Sequence, residues 1–499
     1  MFEIIGQSFI QLATLENFLL MNFSLFFGII VGAIPGLTGM LAITLFLPLT
    51  FGLTPVSGLL VLLGLYVGGV YGGSITAILI NTPGAPAGAA TILDGYPAAQ
   101  NGKAKKALDM ALYASCIGGV VSAIMLLFLS PQIAKLSLKF GPSEYFAISF
   151  FGMSIISSIS GGNLLKGIIS GSLGILISCI GVDAAGVSRF TFDNYRLLSG
   201  IPLVVTLIGL FALAEVLINK NRKLDIKKID SNKIKQEEKL LMSELLESKN
   251  VIIRGTLIGN IIGAIPGTGG AIASYISYSQ AKRFSKRRDE YGKGCLEGVA
   301  ATESANNAAT GTALIPLLTL GIPGDAAAAI MMGALMVHGM TPGPRLFTEQ
   351  GPQIYAIIIG FTIINILMLF QGKILIKLFT KLSTISYAML APVIAALCLA
   401  GSFAVNNTIF YLYLALVIAI IALVMHNLDI PRSPMLLGLV LGPLIENNFR
   451  RSMAISDNTF SIFYERPISL VFLILAGISF LTPVIKQSIH LLKKRFVNE

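Results

Sequence analysis

The sequence predicts an all-α polytopic membrane protein of about 10–12 transmembrane helices, in two inverted-topology repeats whose helices are interrupted at Pro–Gly pairs. Three observations lead there. Mean hydropathy is +0.80 over 499 residues, with 54% hydrophobic and only 12% charged residues, too little charge for the surface of a soluble protein of this size. An octapeptide occurs twice inside apolar segments: GAIPGLTG at Gly32 to Gly39 and GAIPGTGG at Gly263 to Gly270, with six of eight residues identical across 231 positions. Finally, basic loops fall in different slots of the two halves.

Along the chain, residues 1–20 read as an interfacial amphipathic segment, with no cleavable leader expected. The first transmembrane repeat covers residues 21–218. Its opening run breaks at Pro35–Gly36 and resumes from Met40 to Leu49. Ser57 to Ile80 follows, rich in glycines that permit close helix approach. A second break lies at Asn81–Thr82–Pro83–Gly84, and Asp94–Gly95–Tyr96–Pro97 reads as a turn. Spans follow over 108–129, 146–159, 164–180 and 202–218. Residues 219–250 hold nine Lys or Arg against six Asp or Glu, a charged cytoplasmic linker between the halves. The second repeat, 251–485, breaks at Pro266–Gly267 and again at Ile322–Pro323–Gly324, and later spans begin near residues 354, 387, 410, 435 and 468. The tail, 486–499, is basic and expected in the cytoplasm.

Each half therefore carries two Pro–Gly breaks, 48 residues apart in the first and 57 in the second. In the second half the basic loop, Lys282 to Arg288, lies between the breaks. In the first half that slot (residues 52–56) is uncharged, and Lys103, Lys105 and Lys106 come after the second break. If basic loops face the cytoplasm, equivalent loops face opposite sides.

A Pro–Gly pair removes a backbone donor and adds flexibility, and in lipid the freed groups must find other partners. The breaks are thus either kinks in packed helices or the walls of a site. As a site, the amides after Pro35, Pro83, Pro266 and Pro323 attract anions, and unwound carbonyls suit a cation. The candidate substrate-binding residues are Pro35, Gly36, Thr38, Gly39, Asn81, Thr82, Pro83, Gly84, Pro266, Gly267, Thr268, Gly269, Asn306, Asn307, Pro323 and Gly324. Coupling-ion candidates are Glu303, Ser304 and Asp325, because a carboxylate in an apolar span is costly unless paired, hydrated or protonated. Glu303, Asn306 and Asn307 are expected to share a cavity-facing helix side. Asp325 either caps a half-helix or binds a ligand. Arg432, Arg450, Arg451 and Arg466 mark membrane edges, where one reaching inward can meet an anion. Asn447–Asn448 follows Glu446 in a further small break.

Four Cys and three His are scattered, suggesting neither a disulfide framework nor a metal cluster. The net charge of +11 sits in inter-span loops, so orientation in a lipid bilayer explains it better than nucleic acid does. No nucleophile–base set, Walker loop or HExxH pattern emerges. An intramembrane enzyme, or an uncoupled channel or scaffold, remains the alternative to a transporter.

The segments around the breaks resemble the TctA-type large permease subunits of tripartite tricarboxylate transporters. The resemblance runs through Gly32 to Gly36, Leu47 to Gly52, Tyr71 to Ser74, Pro83–Gly84, Asp94 to Pro97 and Gly263 to Gly270. It continues through Glu303 to Ala308, Ile322 to Gly324, His338–Gly339 and Pro342 to Pro344. It implies a secondary transporter of the prokaryotic cytoplasmic membrane, with a small transmembrane subunit and an extracytoplasmic solute-binding protein as partners. The cargo it implies is citrate or a related organic carboxylate, driven by transported Na+ or H+, with no tightly bound cofactor.

Overall fold

The computed structural model describes residues 2–35, 37–159, 164–219, 239–382 and 387–481. These form a helical protein with one two-residue β-hairpin, in which Gly181 pairs with Arg189 and Val182 with Ser188. The linker residues 220–238 and the tail lie outside the described residues.

The first half opens with α1 (Phe2–Leu12) and α2 (Leu15–Gly32), the latter capped by the Thr14 side chain, which accepts the Asn17 amide. The boundary expected after residue 20 therefore falls inside α2. After the first break come α3 (Gly39–Phe46) and the uncharged, largely apolar α4 (Pro55–Ile80). Next are α5 (Ile92–Ala98) and α6 (Ala104–Ser137), with a kink between them at Gly102, whose φ is 77°. At 34 residues α6 is roughly 50 Å long, well beyond a ~30 Å hydrocarbon core. Helices α7 (Pro142–Ile159) and α8 (Leu164–Ser178) lead to the hairpin, and α9 (Leu203–Leu207) and α10 (Ala214–Ile218) flank a buried π-helical stretch, Ile208–Leu213.

The second half carries α11 (Met242–Glu247), α12 (Lys249–Gly263), α13 (Gly269–Phe284), α14 (Leu296–Thr312), α15 (Leu314–Leu320) and α16 (Ala326–Val337). Beyond the short α17 (Leu346–Glu349) lie α18 (Gly351–Leu382), α19 (Tyr387–Ala404), α20 (Ile409–Asn427) and α21 (Arg432–Ile455). The described chain ends with α22 (Ser461–Glu465) and α23 (Pro467–Leu481). Among the described residues, five helical stretches are long and apolar enough to cross a membrane: 15–32, 55–80, 92–137, 351–376 and 409–427. The sequence placed a small break near Asn447, but α21 runs unbroken through it, with its Pro443 inside the helix.

The halves pack alike. In the first, α2 lies along α4 with backbones nearly touching: a Cβ on Gly28 would sit 2.8 Å from the Leu65 carbonyl oxygen. In the second, α12 lies along α14, with Gly255, Gly259 and Gly263 facing Ala301, Ala305 and Ala309. Small residues every fourth position allow this approach where lipid supplies no hydrophobic drive between helices.

The 26-residue α4 gives the fold two ends. At its start, the loop after α3 meets His338, whose Nε2 lies 3.1 Å from Thr50 Oγ1. At its finish, Gly95 packs on Ile78, and Asp94 holds the loop between α13 and α14 through the Gly292, Gly294 and Cys295 amides. Lys106 meets Glu244 of α11 at 2.9 Å, and Asn101 donates to the Lys293 carbonyl at 2.9 Å. The loop around residues 101–106 thus meets both α11 and the loop between α13 and α14.

Candidate functional site

Each break is a solution to the same problem, the amides and carbonyls released when a helix stops inside the bundle. At the second break Asn81 adopts a left-handed conformation (φ 56°), the Thr82 amide donates to Thr76 O, and the Gly84 amide reaches back eleven residues to Gly73 O at 3.3 Å. The fourth break repeats the pattern. Gly321 is left-handed (φ 72°), the Ile322 amide donates to Pro316 O, and the Gly324 amide reaches Ala313 O at 3.2 Å, again eleven residues back. Glycine is required at 84 and 324, where an added Cβ would lie 2.6 Å from Gly32 O and 2.5 Å from Ala313 O.

The two octapeptides differ in how they close. Thr38 caps α3, accepting the Leu41 amide at 3.1 Å. Thr268 instead turns its hydroxyl to the released carbonyls of Ile262 and Ile265. Gly267 (φ 87°) donates its amide to Gly324 O at 2.6 Å, which ties the third break to the fourth.

The breaks converge. A cavity of about 370 Å³ is lined by Thr38–Gly39–Met40 from the first, Ala85–Pro86–Ala87 from beyond the second, Gly267 to Ala271 from the third, and Asp325 to Ala327 from the fourth. Tyr66, Val70, Asn306, Thr310, Pro431 and, from α21, Ser433 and Leu437 complete it. Of the sequence candidates, Thr38, Gly39, Gly267, Thr268, Gly269, Asn306 and Asp325 reach the cavity. Pro35, Asn81, Thr82, Pro83, Gly84, Pro266, Pro323 and Gly324 form the breaks without lining it, and Asn81 is exposed. Gly36 lies outside the described residues.

The expected shared face of Glu303, Asn306 and Asn307 divides in two. Asn306 faces the cavity, 2% exposed, with its Nδ2 lacking a partner. Glu303 and Asn307, one helical turn apart, face the first half instead. Glu303 accepts from Thr91 and from Ser115 at 3.0 Å, Asn307 donates to Ser115 at 2.8 Å, and Thr302 meets Thr91 at 3.0 Å. Ser304 is buried against α12, its hydroxyl bonded to Ala301 O. Asp325 caps α16, accepting the Ala328 amide at 2.7 Å, and receives the Tyr66 hydroxyl at 3.3 Å.

Of the four arginines expected at membrane edges, three have acid partners among the described residues: Arg432 with Glu215 at 3.2 Å, Arg450 with Asp183 at 3.2 Å and Glu446 at 2.9 Å, and Arg466 with Glu144 at 3.2 Å. None of them lines the cavity. Asp94 is a second correction. It sits 1% exposed inside α5, not in an exposed turn, accepting three amides and the Tyr278 hydroxyl at 2.9 Å. Its partners lie 184 to 201 residues away, so no local pattern announces them. Tyr66 and the α21 residues escaped sequence reasoning for the same reason, whereas Ala85 to Ala87 carried a signal in the small residues following Pro83–Gly84. No group of three or more His, Cys, Asp or Glu placed to hold a metal occurs among the described residues.

Interrupted helices from both halves meeting at one cavity, within an all-α polytopic bundle, are the arrangement of a membrane permease. The chain belongs to the tripartite tricarboxylate transporter TctA family, which it matches over residues 18–437. It is 38% identical over 447 residues to an uncharacterised 52.8 kDa protein from the TAR-I ttuC′ 3′ region of Agrobacterium vitis, covering 89% of this chain and 88% of that one. A second relative, an uncharacterised protein from the TAR-II ttuC′ 3′ region of Agrobacterium vitis, is 42% identical over 211 residues, 42% of this chain and 87% of its own length. No solved structure matches. The chain is therefore a multi-pass transport protein of the inner membrane and not an enzyme, and its family name implies association with the other components of a tripartite system.

Proposed function

We propose that this chain is the translocating subunit of a binding-protein-dependent secondary transporter that imports tricarboxylates or related organic carboxylates by alternating access, driven by Na+ or H+. The observation that carries this reading is the convergence of all four breaks on the cavity beside Asn306. The start of the 16-residue α13 opens on the cavity, and its amides and dipole suit a carboxylate. The unpartnered Asn306 Nδ2 supplies a further donor. Thr38 and Thr268 border the same space.

In this reading the halves are inverted repeats. Its support is the pair of equivalent loops: the one after α3 lies by His338 at the start of α4, and the one after α13 lies by Asp94 at the finish. An inverted pair gives two near-equivalent conformations, which is what exposing one site to each side in turn requires. The small transmembrane subunit and an extracytoplasmic solute-binding protein complete the system, the latter delivering the carboxylate.

The test is reconstitution of the chain with both partners in proteoliposomes, followed by uptake of labelled citrate and succinate under separately imposed sodium and proton gradients. Gradient-dependent accumulation that needs the binding protein is expected. Equal flux with and without a gradient would instead identify a channel.

A further inference from the structure

The two octapeptides leave the cavity with one open helix start. Both α3 and α13 begin at its wall, at Gly39 and Gly269. The first is closed by its own sequence, because the Thr38 hydroxyl accepts the Leu41 amide. At α13 the matching Thr268 gives its hydroxyl to the Ile262 and Ile265 carbonyls, so no side chain caps the first turn. The amides of such a turn have no partner within their own helix. Asn306 lies directly against it. A Cβ on Gly270 would sit 2.8 Å from Asn306 Oδ1, and Nδ2 of the same side chain is buried without a partner. These donors make one seat for an anion. Asp325 stands beside the same start, its Cβ 3.3 Å from where a Cβ on Gly269 would lie, so the α13 dipole already faces one acid group. The rest of the wall offers no second seat. Met40, Val70, Ala87, Ala271, Pro431 and Leu437 are apolar, and among the described lining residues there is no Lys, Arg or His. The Thr310 and Tyr66 hydroxyls are given to the Asn307 carbonyl and to Asp325. Those of Thr38 and Ser433 are neutral and balance no charge.

We propose that the cavity is a one-carboxylate site, favouring acids with a single carboxylate on an uncharged, largely apolar body over those with two or three. This rests on the carboxylate-transport reading and narrows its substrate class, with succinate and citrate as weaker ligands of the same site. The carboxylate accepts from the first-turn amides of α13 and from Asn306 Nδ2. The body lies along Met40, Val70 and Leu437, covering apolar surface. Mostly apolar walls with a few convergent donors hold such a ligand by its one polar end. A further carboxylate leaves water for a wall whose described residues supply no cation, and that costs affinity. Thr38 determines specificity in this scheme, because by capping α3 it withholds the second helix start.

The experiment is isothermal titration calorimetry on the purified full chain, in sodium-containing buffer throughout. The probes are hexanoate and adipate, which differ only in a terminal methyl replaced by a carboxylate, with citrate as a third. Wild type is expected to bind hexanoate saturably and at least tenfold more tightly than adipate or citrate. Asn306→Ala should lower hexanoate affinity at least fivefold with an unchanged melting temperature. Two variants should shift the preference the other way. Met40→Lys adds a cation to the wall. Thr38→Gly removes the hydroxyl that occupies the Leu41 amide while keeping a residue tolerated at a helix start. Each should narrow the gap between hexanoate and adipate at least threefold, and should one fold poorly, the other decides. Adipate or citrate binding within tenfold of hexanoate in wild type overturns the proposal. So does a preference that neither folded variant shifts, and so does the absence of saturable hexanoate binding. Gradient-driven uptake of citrate alongside any of those results would leave the transport reading standing without the one-carboxylate site. Selective hexanoate binding with no gradient-driven uptake of any of the three acids in the reconstituted system would sink the transport reading and leave the site standing.

Discussion

Replacing Asp94 by Ala tests whether the two halves are joined where the structure joins them. Its carboxylate accepts the amides of Gly292, Gly294 and Cys295 at 2.8 to 2.9 Å and the Tyr278 hydroxyl at 2.9 Å. These amides lead directly into α14, so the loop that enters a helix of the second half is held by an acid from the first. A hydrogen bond to a charged group contributes about 1.5–3 kcal/mol, but four bonds to one carboxylate are not additive. The Gly292 end of the loop is also exposed enough for water to replace its bond, whereas Cys295 is 3% exposed. A loss of about 3–5 kcal/mol is therefore expected for Ala, the scale of removing one partner from a buried charged network. Asn keeps one acceptor oxygen for the amides and should cost about half as much. Thermal unfolding of the detergent-solubilised protein measures the total, and hydrogen exchange over residues 290–296 localises it. An Ala variant with wild-type melting and unchanged exchange in that loop would refute the clamp.

Further outcomes follow from the same geometry. Gly324→Ala places a methyl 2.5 Å from Ala313 O and 2.7 Å from Ala313 Cα, so it should destabilise by about 1–3 kcal/mol or more in thermal unfolding, with Gly84→Ala behaving alike. Asn306→Ala should reduce carboxylate uptake with little change in melting temperature. Asn307→Ala should lower the melting temperature, because it strips a donor from Ser115 beside Glu303. Single cysteines at Leu53 and Lys286 should label from opposite sides of the membrane, and labelling from one side would end the inverted-repeat reading. In the loop after α8, the Val187 amide holds the Asp183 carboxyl below its ordinary range, against the upward push of burial and with help from Ala185 and Arg450. A depressed acid stabilises the loop above its unfolded pKa of about 3.9, and that contribution fades as pH falls through the lower folded value. Arg450→Ala should move this acid transition upward, read from a fluorophore on a Val187→Cys variant.

The membrane architecture was legible because the bilayer demands uninterrupted apolar runs and shows its boundaries as charge. The breaks were legible because Pro and Gly are costly inside helices and mark where a helix stops. Side-chain assignment was harder. Glu303, Asn306 and Asn307 lie within five residues, yet at 100° per residue Asn306 and Asn307 face different neighbours. Asp94 was read as turn chemistry because Asp–Gly is a common turn pair, and its clamp depends on partners 184 or more residues away. Local spacing says which residues share a helix, and only packing says what each side of that helix meets.

The second and fourth breaks show how little sequence identity such a device needs. Asn-Thr-Pro-Gly at 81–84 and Gly-Ile-Pro-Gly at 321–324 share only the Pro–Gly pair, yet both send amides back to carbonyls six and eleven residues earlier. Proline ends the helical ladder because it has no N–H to offer. Glycine then makes the eleven-residue return possible, because its amide can approach the earlier backbone only without a Cβ. The residue two before proline must turn left-handed, a conformation glycine adopts freely and asparagine tolerates best among the others. Once these three conditions hold, the neighbouring side chains are free to diverge. The two copies use that freedom differently: past the fourth break Asp325 brings a carboxylate to the cavity, while past the second the matching stretch is Ala85–Pro86–Ala87. The shared backbone thus sets where the walls stand, and the side chains past each break set what those walls present to the cavity.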